Sequence, residues 1–383
     1  MTEEFLPFAK PYMDDATIAE VVACLQSGWL TTGPRVKQFE QLLSEYCNGA
    51  TALAFSSATA ALHVAMLCLD LKPGDEIITT PMTFVATLNT IVQAGGRPVL
   101  VDINRYDNNI NVELLEAAIT PRTKAILPVH FAGLPVDLAP LYALAEKYQL
   151  RVIEDAAHAI GAGYDGKKLG NFGDMQIFSF HPNKNMTTGE GGCIITRDEK
   201  LAAQAARLRF HGIDRDAFNR FSKTGSQDYD VVAPGFKYNM MDLQAAIGLH
   251  QLPKVDEFNI QRMQLAQRYY ERLSDCTALQ LPVMPVYQHQ HAWHLFTPLV
   301  QTEKTKLSRN EVMQTLKDQG IGTGYHYRAA HLFSYYQQQF GWQAGDFPEA
   351  EYVSERIFSL PLFPTLTTKQ QDNVIDKLLK LFT

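Results

Sequence analysis

Between residues 51 and 196 the chain repeats one unit, a short apolar run rich in β-branched residues followed by a stretch with apolar positions at helical spacing. The runs lie at 51–55, 76–79, 98–101, 125–129, 151–154, 175–180 and 192–196. The helical stretches include 60–71, 86–94, 112–119 and 138–148. Strands that are apolar on both faces must be covered on both, and the intervening helices supply the cover. The pattern predicts an α/β fold, with a mainly parallel seven-stranded sheet sandwiched by helices. Ligands of such sheets bind beyond the carboxyl ends of the strands. Ser56-Ser57-Ala58-Thr59, Met82-Thr83-Phe84, His130, Asp155 and Ser179 all fall at or just past a predicted strand end.

The flanks read differently. Residues 1–13 carry two prolines and little periodicity, as expected of an arm lying on the surface or on a partner. Helices are predicted at 16–27, stopped by Gly28, and at 35–46. A helix at 201–209 leads to a polar segment, 214–230, expected to be a mobile loop. Helices follow at 242–252 and 254–273. After Cys276 the chain turns to proline-punctuated strands at 281–282 and 292–300, a helix at 309–319 and a closing helix at 369–381. The expected organisation is an N-terminal arm and large domain over 1–254, then a smaller C-terminal α+β domain over 255–383.

Bulk properties narrow the function classes. With 34 basic against 41 acidic residues the net charge is −7, and no basic cluster stands out. Nucleic acid is therefore not the expected partner. The five cysteines are widely spaced with no Cys-x-x-Cys, and read as buried thiols in a reducing cytoplasm. The first residues lack the basic start and apolar core of a signal peptide. No apolar run approaches the roughly 18 residues of a membrane span. The expectation is a soluble cytoplasmic protein.

Candidate chemistry concentrates in residues 151–192. Asp155 ends an apolar strand, Ser179 ends another, and Lys184 follows in a turn closed by Gly189-Glu190-Gly191-Gly192. A strand-end acid and an isolated lysine are what pyridoxal phosphate chemistry requires. The lysine forms the Schiff base, and the acid keeps the pyridine nitrogen protonated so that the ring acts as an electron sink. Glu154 is the alternative acid. Asp155 is preferred because neighbours alternate faces along a strand and the terminal member points into the cleft. His158, one turn on, either donates to the cofactor's phenolic oxygen or packs. Phe84 either joins the core or stacks on a flat ring. Ser56 to Thr59 link a strand to a helix, where free N–H groups make an anion site, although simple N-capping gives the same letters. Gly161, Gly163 and Gly166 match the dinucleotide fingerprint G-x-G-x-x-G, but they lead into turns rather than a helix, so the match is rejected. His289, His291 and His294 lack companions at metal-ligand spacing, and no metal is expected.

These residues sit within stretches that resemble the sugar aminotransferases of the DegT/DnrJ/EryC1/StrS family, fold-type I pyridoxal phosphate enzymes, along nearly the whole chain. The stretches are SGWLTTGP (27–34), SSATAALH (56–63), PGDEIITTPMTFVAT (73–87), IEDAAHAIGA (153–162), FSFHPNKNMTTGEGG (178–192), PGFKYNMMDLQAAIG (234–248), GIGTGYHYRAAH (320–331) and SLPLFP (359–364). The resemblance implies that Lys184 is the Schiff-base lysine and that Asp155 pairs with the pyridinium. It implies that Phe84 stacks on the ring and that Ala58, Thr59 and Ser179 bind its phosphate. His158 stands where many members have glutamine. Asn239 is expected to reach the phosphate of a neighbouring subunit, which makes a homodimer the working unit. His326 and Tyr327 occupy the sugar-side segment. The implied reaction is ping-pong, from L-glutamate, released as 2-oxoglutarate, to a keto-sugar, with Lys184 as general base and acid. The nearest branch aminates UDP-4-keto-pentose for lipopolysaccharide modification. Alternatives are 8-oxo-Kdo and other nucleotide-linked 4-keto-hexoses, and, from another class, a non-catalytic pyridoxal phosphate-binding regulator.

Overall fold

The computed structural model describes residues 5–214 and 229–382. Of the polar segment 214–230, residues 215–228 lie outside the described residues, as do residues 1–4 of the arm. The strands in chain order are β1 (Thr51–Phe55), β2 (Glu76–Thr79), β3 (Arg97–Leu100), β4 (Thr123–Ile126), β5 (Arg151–Asp155), β6 (Gly163–Tyr164), β7 (Lys167–Lys168), β8 (Met175–Ser179) and β9 (Gly192–Thr196). Seven of them form one sheet in the order β1-β9-β8-β5-β4-β2-β3. Only β9 runs against the others, pairing antiparallel with both β1 and β8. The seven expected strands are all present, within a few residues at each end.

Strand periodicity explains the two-sided cover. Along β2, β5, β8 and β9 the residues Ile78, Val152, Phe178 and Ile195 enter one apolar layer. Their neighbours Ile77, Ile153, Ile177 and Ile194 enter the other. The first layer is closed by α2 (Pro34–Tyr46) and, further along, by the helix Leu138–Tyr148. The second is closed by α3 (Ala58–Leu67), whose residues from Ala60 to Met66 are all buried. Burying both faces at roughly 25 cal/mol per Å2 is what makes so apolar a sheet stable in water.

The rejected glycine match has a plain structure. Gly163 and Gly166 belong to the hairpin of β6 and β7, whose two-residue turn, Asp165-Gly166, has φ of 47° and 73°. Positive φ at both positions is the signature of a type I′ turn.

A second apolar cluster gathers the chain after residue 255. The helix Val255–Leu273 and those at Arg309–Asp318 and Thr368–Lys380 enclose Tyr269, Phe296, Leu316, Phe358 and Ile375. Strand content here is lower than expected. Among the described residues here, only Leu279–Gln280, His289–Gln290 and Leu299–Val300 are strands. The rest of 292–300 docks by its backbone instead: Ala292 N–H donates to the Gly133 carbonyl and His294 N–H to the Ala132 carbonyl, each at 2.9 Å. Helices at Ser334–Phe340 and Pro348–Arg356 add to those expected; both are short and polar, with few buried residues to mark a pattern.

Candidate active site

The carboxyl edge of the sheet opens on a cavity of about 320 Å3. Register brings its parts together. Phe55 at the end of β1 and Ser179 at the end of β8 both lie opposite Gly192, the first residue of β9. Gly192 has no room for a side chain: a Cβ there would sit 2.5 Å from the Ala58 Cα and 2.8 Å from the Ser57 carbonyl carbon. The start of β9 is thus pressed against the start of α3. Ser57 caps that helix by accepting from Ala60 N–H at 3.1 Å. The N–H groups of Ala58 and Thr59, in the first turn, have no carbonyl four residues back within the helix. Ser179, 6% exposed, adds a hydroxyl beside them on the cavity wall.

Lys184 lies in the turn between β8 and β9. The turn is fixed at several points, with Lys184 N–H donating to the His181 carbonyl at 2.9 Å and Thr188 N–H to that of Phe180 at 3.0 Å. The next residue, Asn185, donates to both Asn259 Oδ1 and the Ala292 carbonyl at 2.6 Å. The lysine stem is therefore anchored while its amine reaches the cavity. Burial pushes the ammonium down to about 8, and the carboxylate of Asp155 works in the opposite sense. A lysine with this environment carries a usable fraction of neutral amine near neutral pH.

Glu154 and Asp155 separate as strand alternation requires. Glu154 is fully buried away from the cavity, where it accepts from His130 Nε2 at 2.7 Å and from Tyr142 and Gln176. Asp155 lines the cavity. Its Oδ2 accepts from Thr87 Oγ1 at 2.7 Å and its Oδ1 from Ala157 N–H at 3.1 Å. Burial raises its pKa, while those two hydrogen bonds, led by Thr87, pull it back.

His158 is committed on both sides of its ring. Nδ1 accepts from Ala132 N–H at 3.2 Å, and Nε2 lies 2.9 Å from the Tyr327 hydroxyl. With Nδ1 accepting, the proton of the neutral ring is on Nε2 and is given to Tyr327. Burial, followed by the nearby Lys184 charge, holds its pKa well below the ordinary range, so the ring is neutral. Phe84 is not a core residue. It is 56% exposed and flanks the cavity, with its ring 6.1 Å from that of Tyr327. His326 also lines the cavity, and its Nδ1 lies 2.8 Å from Ser359 Oγ.

Ala58, Thr59, Phe84, Asp155, His158, Ser179, Lys184, His326 and Tyr327 thus share one cavity. Asn239 does not. It lines a different one, beside Thr32 and Arg209, where it donates to Thr32 Oγ1 while its own Oδ1 is buried without a partner. Sequence reasoning missed Thr83 and Thr87, and it considered His294 only as a metal ligand. The three histidines at 289–294 diverge: His289 Nδ1 lies 2.8 Å from the Tyr287 carbonyl, His291 stacks on Trp293 at 4.0 Å, and His294 Nε2 lies 3.5 Å from Lys184 Nζ.

Against this geometry, known proteins give a consistent likeness. The model of the DegT/DnrJ/EryC1/StrS aminotransferase family matches residues 11–379. An uncharacterized protein of Methanocaldococcus jannaschii is 45% identical over 98% of this chain and 96% of its own. Among solved structures, PseC of Helicobacter pylori, an aminotransferase involved in the biosynthesis of pseudaminic acid, is similar with a TM-score of 0.92 at 31% identity, covering 99% of both chains. The putative sugar aminotransferase Spr1654 of Streptococcus pneumoniae, solved in its PLP form, scores 0.90 at 32% identity over 99% of this chain and 98% of that one. DesV of S. venezuelae, captured with a ketimine intermediate, scores 0.87 at 31% identity over 98% and 99%. The chain belongs to the DegT/DnrJ/EryC1/StrS aminotransferase family, and is a sugar aminotransferase with pyridoxal phosphate as its cofactor.

Proposed function

We propose that this member of the DegT/DnrJ/EryC1/StrS family moves the amino group of L-glutamate onto a nucleotide-linked keto-sugar, with UDP-4-keto-pentose as its leading substrate. The observation that carries the reading is the convergence on one cavity of a half-buried lysine, a buried carboxylate and a helix start with free N–H groups. These residues fit the cofactor. The N–H groups of Ala58 and Thr59 and the hydroxyl of Ser179 would hold a phosphate dianion, favoured by the helix dipole. The cradle stays open because residue 192 is glycine. Asp155 would face the ring nitrogen and Phe84 would cover one face of the ring.

When bound, pyridoxal phosphate supplies a carbonyl carbon for amines and a ring that accepts electron density. The protein's part is binding and proton traffic. Lys184, with its ammonium pushed down to about 8, can bond a carbonyl carbon through its neutral amine. The same Nζ, when free, would take a proton from the carbon on one side of the transferred nitrogen and return it to the carbon on the other side. His294 Nε2, 3.5 Å away, marks the direction from which that amine is steadied. His158 and Tyr327, 2.9 Å apart, would close one side of the cavity. Burial keeps the tyrosine protonated at working pH, so its hydroxyl remains a donor.

A homodimer is the proposed working unit, with Asn239 serving the partner's phosphate. Two observations support it. The helix α1 (Asp15–Ser27) exposes Ile18, Val22 and Leu25, a stripe at helical spacing, and Leu30 and Met241 are exposed as well. Unpartnered apolar helix faces of this kind are interaction surfaces. Asn239 also lines a cavity other than that of Lys184, so its side chain does not line its own chain's site. The proposed compartment is the cytoplasm, where the five free cysteines stay reduced. None of the described helices is long and apolar enough to cross a membrane.

The test is single-turnover amination. The enzyme is first converted with L-glutamate, freed of small molecules, then offered UDP-4-keto-pentose, nucleotide-linked 4-keto-hexoses and 8-oxo-Kdo separately. Fastest amination of UDP-4-keto-pentose supports the reading; fastest amination of another member of the panel replaces the substrate.

A further inference from the structure

One wall of the cavity is a line of hydroxyls. Thr83 Oγ1 lies 2.7 Å from Thr87 Oγ1, which lies 2.7 Å from Asp155 Oδ2. All three residues are almost completely buried. Proton counting fixes the direction of the chain. An ionised carboxylate only accepts, so Thr87 gives Asp155 its single hydroxyl proton, and Thr83 must in turn donate to Thr87. The other carboxylate oxygen is held by Ala157 N–H at 3.1 Å.

The placement of Thr87 is itself informative. It lies in the first turn of the helix Val85–Gln93. A threonine in a helix commonly turns its hydroxyl back to the carbonyl of the preceding turn. Here the proton goes 68 residues along the chain to the strand-end acid instead. The backbone below is fixed, with Thr87 N–H donating to the Phe84 carbonyl at 3.2 Å and the Thr87 carbonyl accepting from Thr90 Oγ1 at 3.2 Å.

We infer that Thr83 and Thr87 form a one-way hydroxyl relay that fixes the Asp155 carboxylate, making Thr87 a positioning residue for the acid. The inference rests on the proposed role of Asp155 at the ring nitrogen. With Oδ1 and Oδ2 each clamped, the carboxylate cannot rotate, and only its remaining lone pairs face the cavity. The relay also counters burial, which favours the neutral acid. The charged and titratable groups around Asp155 are Lys184 from the turn after β8, Tyr327, and His130, whose Nε2 is turned to Glu154. Lys184 and His130 both favour the carboxylate, and neither restricts its rotation through a hydrogen bond.

The experiment is pyridoxal phosphate titration of the full-length apoprotein across pH, with the L-glutamate half-reaction followed in parallel. Thr87→Val is expected to weaken binding at neutral pH by roughly tenfold to a hundredfold, the worth of one hydrogen bond to a charged group. Affinity falls with acid as Asp155 protonates, and without the Thr87 bond that loss moves to higher pH by about one unit or more. Thr87→Ser, which keeps the hydroxyl, restores the profile. An unmoved pH profile in Thr87→Val, or a Thr87→Ser variant as impaired as Thr87→Val, overturns the relay. Asp155→Asn separates the two claims. If it binds and reacts normally, the role of Asp155 has failed; if it is impaired while Thr87→Val is normal, only the relay has failed. Should Thr87→Val not fold, Thr83→Val decides, since loss of its donated proton shifts the same profile in the same direction by less, and no shift overturns the proposal.

Discussion

Gly192→Ala probes the proposed phosphate cradle directly. The added methyl would sit 2.5 Å from the Ala58 Cα and 2.8 Å from the Ser57 carbonyl carbon, where real side chains essentially never come closer than 3.0 Å. Both contacts are backbone, so no rotamer change relieves them. The start of β9 and the start of α3 must part by at least about 0.5 Å. Overpacking of this kind costs about 1–3 kcal/mol. The shift falls on the turn that presents the N–H groups of Ala58 and Thr59, whose hydrogen bonds weaken beyond about 3.2 Å. Partial loss of two charge-assisted bonds should weaken pyridoxal phosphate binding by about 1.4–2.8 kcal/mol, roughly tenfold to a hundredfold. Fluorescence titration of apoprotein with the cofactor measures it, beside thermal unfolding to confirm a folded variant. A folded Gly192→Ala protein with unchanged affinity would refute the cradle.

Three further outcomes follow from the geometry. Lys184→Met in the apoprotein should raise stability at pH 7 by about 1–3 kcal/mol, because burial lowers the lysine's pKa and the unfolded chain then holds more protons between about 8 and 10.5. By the same linkage the stability of the parent protein rises with pH through that window, and unfolding in denaturant at several pH values reads both. Mixing Lys184→Ala and Asn239→Ala subunits should give activity above that of either alone, since one site of each mixed dimer has both side chains intact; additive activity only would mean that Asn239 serves its own chain. Ile18→Asp with Val22→Asp should convert the proposed dimer to monomer in sedimentation and lower cofactor affinity, while a dimer that persists removes the α1 stripe from the interface.

What could be read in the sequence depended on how local each signal was. The seven strands were legible because β-branched runs and helical spacing are properties of neighbouring residues. The placement of Asp155 and Lys184 at the cavity was legible because strand ends and an isolated lysine in a glycine turn are likewise local, and alternation alone separates Asp155 from Glu154. Phe84 was ambiguous, since exposure is decided by what packs nearby; it proves to be 56% exposed at the cavity. Thr87 and His294 were not legible as site residues. Their contacts with Asp155 and Lys184 join positions 68 and 110 residues apart, and nothing local marks them. The expected strand 292–300 was too long because Trp293 takes φ of 51°, which breaks the run where apolar composition alone suggested continuity. Asn239 was placed by resemblance rather than by pattern, and its cavity is distinct from that of Lys184.

The central claim is that nitrogen passes from L-glutamate to a keto-sugar through the cavity that holds Lys184. Isotopically labelled L-glutamate, wild-type or Lys184→Ala holoenzyme, and UDP-4-keto-pentose, nucleotide-linked 4-keto-hexoses and 8-oxo-Kdo offered separately, analysed by mass spectrometry, test it most directly. Label in the amino sugar with the wild-type protein and none with Lys184→Ala is the expected result. Labelled product at full rate from Lys184→Ala, or no transfer to any keto-sugar by the wild-type protein, would contradict it.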